Sequence, residues 1–101
     1  MVHIVQLLLP LFDNDGRPFA DAQMAAIREE LVARFGGVTA TRTPANGVWA
    51  HRGKQVHDDI ILVEVMTDAL DRGWWRAFRT RLEAQLRQDT IIIRTQVSEL
   101  L

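Results

Sequence analysis

Three stretches of this chain are apolar at almost every position: VHIVQLLLPLF (2–12), IILVEVM (60–66) and TIIIR (90–94). Side chains alternate between the two faces of a strand, so a strand that is apolar at both parities needs cover on both faces. A sheet built from these segments has one face for its own helices. Its second face must be hidden or used. That requirement governs how the rest of the sequence is read.

The remaining segments supply two helices for the first face. Asp21 is a candidate N-cap, and Met24, Ile27, Leu31 and Phe35 recur at helical spacing up to a Gly36-Gly37 C-cap. Thr67 or Asp68 caps a second helix running to about Gln88, with Trp74, Trp75, Phe78, Leu82 and Leu86 on its apolar side. The first strand covers Val2 to Phe12, and Asp13-Asn14-Asp15-Gly16 is a turn. A half-polar strand from Val38 to Thr43 is broken by Pro44-Ala45-Asn46-Gly47 and resumes from Val48 to Arg52. Gly53-Lys54 turns the chain into a long strand, Gln55 to Met66, and Thr90 to Val97 is the last strand. The predicted order is strand, helix, strand, strand, helix, strand. It folds as an α+β sandwich of the ferredoxin-like βαββαβ kind, an antiparallel sheet with two helices on one face and strand order 4-1-3-2. A chain of 101 residues makes this a single domain, 1–101.

An apolar share of 48% with 25% charged residues suits a soluble globule. Cysteine is absent, which excludes disulfides and thiolate metal sites and fits a cytoplasmic location. The apolar N-terminus has no basic flank and is read as a buried strand, not a signal peptide. No run approaches the roughly 20 apolar residues of a membrane span. A net charge of −1 argues against a nucleic-acid partner. Of the 12 basic residues all but Lys54 are arginine, and Arg72, Arg76, Arg79, Arg81, Arg87 and Arg94 crowd the last third. On a helix, Arg72, Arg76, Arg79, Glu83 and Arg87 share one stripe, where Glu83 can pair with Arg79 or Arg87. The stripe reads as a solvated face, with a dock for an acidic partner or an RNA backbone as the alternative.

Two places carry candidate chemistry. ANGVWAHRGKQVHDDIILVEVM (45–66) gathers Trp49, His51, His57, Asp58, Asp59 and Glu64. Asp58 and Asp59 are neighbours and point to opposite faces, so they form no paired-carboxylate site. A two-residue turn at Gly53-Lys54 pairs His51 with Val56 and His57 with Ala50. The histidines then face apart, which argues against a shared metal site and leaves His57 as a lone candidate base. The second place is the open sheet face, with Ile4, Gln6 and Leu8, then Ile60, Leu62, Glu64 and Met66, then Ile92, Arg94 and Gln96. The strand order puts Gln6 between Glu64 and Arg94. This trio is either an ion pair fixing how two sheets meet, or the polar anchor of a mostly apolar pocket. In the second case Arg94 holds a carboxylate or phosphate and Glu64 is the general base. Trp49 and Trp74 pack the 44–47 loop or form the wall of a ligand pocket beside it.

The order of elements, the length near 100 residues and the half-apolar open face resemble the dimeric α/β-barrel superfamily. That superfamily includes small cofactor-free monooxygenases and isomerases. The combination of RFGG (34–37), GVW (47–49), DDI (58–60) and WWRAF (74–78) also resembles short uncharacterised bacterial proteins, a likeness that brings no activity with it. The resulting expectation is a small-molecule-binding or interaction protein. It is homodimeric through its open sheet face and uses no cofactor and no metal. The alternative is a cofactor-independent enzyme on a small carboxylated or aromatic substrate, with Glu64 or His57 as base, Arg94 and Gln6 as anchors, and Trp49 and Trp74 as walls.

Overall fold

The computed structural model describes the backbone of residues 1–51 and 54–101, and the side chains outside 43–59. The elements run β1 (Val2–Pro10), α1 (Asp21–Phe35), β2 (Thr39–His51), β3 (Lys54–Thr67), α2 (Arg72–Gln85) and β4 (Ile92–Ser98). The strands form one antiparallel sheet in the order β2-β3-β1-β4. This is the predicted α+β class and strand order, consistent with a ferredoxin-like βαββαβ arrangement.

Strand parity decides where the core sits. Val5, Leu7 and Leu9 of β1, Ile61, Val63 and Val65 of β3, and Ile91 ahead of β4 are all buried. They pack against Met24, Ile27 and Leu31 of α1 and against Trp75, Phe78, Leu82 and Leu86 at α2. Each such side chain contributes about 1.5–3 kcal/mol of burial free energy. The other parity of the same strands lies on the face that carries no helix.

Helix and strand ends depart from the sequence reading at identifiable points. Asp21 is the first residue of α1, not its cap; the N-cap is Ala20, which has no capping side chain. Asp21 still favours that end, because an acid in the first turn complements the helix dipole. The α2 helix starts later than predicted, because Asp71 accepts the Trp74 N–H at 3.0 Å. Thr67, one of the two predicted caps, instead donates to the Ala69 carbonyl. The Pro44–Gly47 break does not end β2. The partners shift from Thr43↔Ile60 to Gly47↔Asp58, so β2 carries two surplus residues there and absorbs them as an irregularity. At the hairpin, His51 pairs with Lys54 and Val48 with His57. Lys54 is therefore in the strand and not in the turn. The predicted turn at Gly53-Lys54 pairs His51 with Val56, so the observed register is offset from it by two residues.

The end of α2 is tied down with unusual care. Arg87 takes a left-handed backbone with φ 54°, and the Gln88 N–H reaches the Glu83 carbonyl at 2.9 Å. The Asn14 side chain donates to the Arg87 carbonyl at 2.8 Å. The Glu83 carboxylate accepts the Ile91 N–H at 2.8 Å, which fixes the lead into β4. A left-handed conformation costs a residue with a Cβ about 1–2 kcal/mol. Arg87→Gly relieves that strain at some cost in unfolded-state entropy. Urea denaturation should show the variant more stable by up to about 1 kcal/mol.

Candidate functional site

Gln6 stands on the central strand β1 and is paired on both sides, with Glu64 of β3 and Arg94 of β4. Its amide is used at both ends. The Nε2 donates to Glu64 Oε1 at 2.7 Å, and Oε1 accepts from Arg94 Nε at 2.7 Å. The charges set the amide's orientation, since a carboxylate only accepts and a guanidinium only donates. One neutral glutamine thus bridges an acid and a base two strands apart.

Gln6 and Glu64 are half-buried, and Arg94 is exposed. Ile4, Leu8, Ile60 and Leu62 around them are also half-buried. Met66 is 55% and Ile92 53% exposed on the same face. The outer guanidinium nitrogens of Arg94 and the second Glu64 oxygen have no hydrogen-bond partner among the described residues. The arrangement is a neutral polar chain in an apolar field, with donors free at one end and an acceptor at the other.

Trp74 does not share this face. It lies on α2, on the helical side of the sheet, 4.8 Å from Trp75 and 5.3 Å from Phe35, and stacked on Phe78 at 4.9 Å between ring centroids. The Arg34 guanidinium sits 4.4 Å over its ring and approaches Asp71 at 3.6 Å. Packing of this kind locks α1 to α2. The side chains of His57, His51 and Trp49 lie outside the described residues.

A groove of about 180 Å³ opens between α2 and the edge strand β4. It is lined by Val5, Leu70, Trp75 and Ile93, and by Arg72, Arg76 and Arg79 of α2. Arg94 borders it along the edge strand, while its side chain is held on the open face by Gln6. The structure separates the arginines that the sequence could only count. Arg81 makes a two-point contact with Glu30, which holds its pKa above the ordinary arginine value. Arg34 is taken by Asp71 and Trp74. The side chains of Arg72, Arg76 and Arg79 have no ion-pair or hydrogen-bond partner among the described residues. Glu83, predicted to pair with Arg79 or Arg87, is engaged by the Ile91 backbone instead. Sequence reasoning took these three arginines for a solvated stripe. Their i, i+4, i+7 spacing was visible, but the diversion of Glu83 was not.

No family model and no curated protein matches this chain. Among solved structures, a phage SAM lyase in complex with S-methyl-5'-thioadenosine superposes with a TM-score of 0.65. The match covers 94% of this chain and 80% of that one at 16% identity. At that identity the likeness is one of fold alone. Among the described residues, no group of three His, Asp or Glu side chains is placed to hold a metal, and no helix is long and apolar enough to cross a membrane.

Gln6→Leu keeps the strand and removes the bridge. Glu64 then loses its partner while half-buried, and Arg94 loses the bond that orients it. Chemical denaturation should show a loss of about 1–2 kcal/mol, as for hydrogen bonds to charged groups that are only partly shielded.

Proposed function

We propose that this protein binds a small anionic molecule and works as a homodimer joined through its open sheet faces, in the manner of the dimeric α/β-barrel superfamily. The observation that carries the reading is the position of Arg94. Gln6 holds its Nε, its outer nitrogens have no partner among the described residues, and it stands on the apolar open face. A mostly apolar surface with one oriented cation is the usual make-up of a small-molecule site. The phage SAM lyase of the same fold was solved with a small molecule bound, which supports the capacity of this architecture for such ligands.

The dimer reading rests on the exposed apolar residues Met66 and Ile92 and on charge placement. Glu64 and Arg94 flank β1 on opposite sides. A two-fold axis along β1 sets Arg94 of each protomer over the partner's Glu64, whereas an axis across the strands sets like over like. Complementarity therefore selects one way of stacking, and isologous two-fold contacts are the commonest soluble assembly. A second reading makes Glu64 a general base in a cofactor-independent enzyme, favoured by its one unpartnered oxygen on an apolar face.

Native mass spectrometry tests both parts. The expected main species is twice the 11.5 kDa chain mass, with a discrete added mass where a ligand is retained. Glu64→Gln keeps an acceptor for Gln6 but removes the charge. It should raise the dimer dissociation constant about tenfold, the effect of roughly 1.4 kcal/mol. A monomeric wild type, or a variant dimer of unchanged strength, contradicts the dimer reading. An unchanged dimer that no longer retains a wild-type ligand favours the enzymatic role of Glu64.

A further inference from the structure

We infer that the groove between α2 and β4 is a site for small organic phosphates. Arg72, Arg76 and Arg79 hold the phosphate, and Leu70 and Ile93 contact the apolar remainder of the ligand. This goes beyond the anion-binding reading above, which rests on Arg94 on the other face of the sheet.

Three arginines of α2, Arg72, Arg76 and Arg79, line one concavity in a chain whose net charge is −1. The crowding is therefore local and does not follow from a generally basic surface. Arg72, Arg76 and Arg79 repeat along one side of α2 at spacings where like charges repel. The acid best placed to relieve them, Glu83, gives its carboxylate to the Ile91 backbone. A bound anion relieves this repulsion better than any described side chain does.

A phosphate monoester suits the geometry better than a carboxylate. It carries up to two negative charges and three acceptor oxygens, enough for more than one guanidinium fork, while a carboxylate is filled by a single fork. The N-terminus of α2 is not the binding element, because Asp71 already occupies the Trp74 N–H and places its own negative charge there. The floor is apolar, so the ligand carries a hydrocarbon or ring next to its phosphate. A volume of about 180 Å³ is below the 300–1,000 Å³ of typical ligand pockets, which restricts that part to about one ring. An RNA backbone fits less well. Trp75, the aromatic residue of the floor, is buried and offers no stacking face.

The test is calorimetric titration of the full chain at low salt with phenyl phosphate, inorganic phosphate and benzoate. Phenyl phosphate should bind at least about tenfold more tightly than the other two. The double variant Arg76→Gln/Arg79→Gln should weaken it at least about tenfold. Arg28→Gln/Arg42→Gln removes the same charge away from the groove and should bind phenyl phosphate as the wild type does. Circular dichroism checks that both variants are folded. Equal weakening by the two double variants reduces the effect to bulk charge and overturns the site. Phenyl phosphate no tighter than inorganic phosphate overturns the apolar subsite. Benzoate preferred over phenyl phosphate overturns the phosphate assignment and leaves the broader anion reading standing. Displacement of phenyl phosphate by single-stranded RNA at lower concentration overturns the small-ligand assignment. The dimer measured by mass spectrometry is independent of all four results.

Discussion

The sheet is apolar at both parities of its central strands, and the chain provides helices for only one side. Val5, Leu7, Leu9, Ile61, Val63 and Val65 disappear under α1 and α2. Ile4, Leu8, Ile60 and Leu62 are left half-covered on the other face, with Met66 and Ile92 more than half exposed. A monomer rarely keeps an extended apolar face of this sort without using it. The placement of polar groups on that face makes sense only in this light. Its charges are few, central and already bridged, so they interrupt the apolar surface without dissolving it.

Gln6 is the pivot of that compromise. Glu64 and Arg94 meet through Gln6, and each charge alone on a half-buried surface costs desolvation free energy. The amide between them satisfies one end of each. The outer nitrogens of Arg94 are left without a partner among the described residues, on the face opposite the helices. The helix that closes the core with Trp75, Phe78 and Leu82 lines the groove beside the edge strand with its own arginines.

How much of this was legible follows from which interactions are local. The fold class, strand order and inward-facing residues came from parity and periodicity, which tertiary context rarely overturns in strands this apolar. The Gln6–Glu64–Arg94 chain was legible for the same reason, since face and strand order together fix neighbours on a sheet. The start of α2 was not. Thr67, Asp68 and Asp71 are all competent caps, and the choice depends on where the turn after β3 ends. The hairpin register was not legible either: a turn at Gly53-Lys54 pairs His51 with Val56, whereas in the structure His51 pairs with Lys54. The groove was least legible of all. It depends on Glu83 turning to the Ile91 backbone, which leaves no signature in spacing. Trp74 was read as packing the 44–47 loop or as a pocket wall, whereas its ring is spent on joining α1 to α2.

The most direct test of the open sheet face as the working surface is a dilution series followed by methyl NMR of protein labelled at isoleucine and methionine. Coverage of that face by a second copy predicts concentration-dependent shifts for Ile4, Ile60, Met66 and Ile92, with Met24 and Ile27, on the core side of α1, unchanged. Uniform spectra at every dilution, with the Met66 and Ile92 methyl groups fully accessible to a soluble paramagnetic probe, would contradict the account.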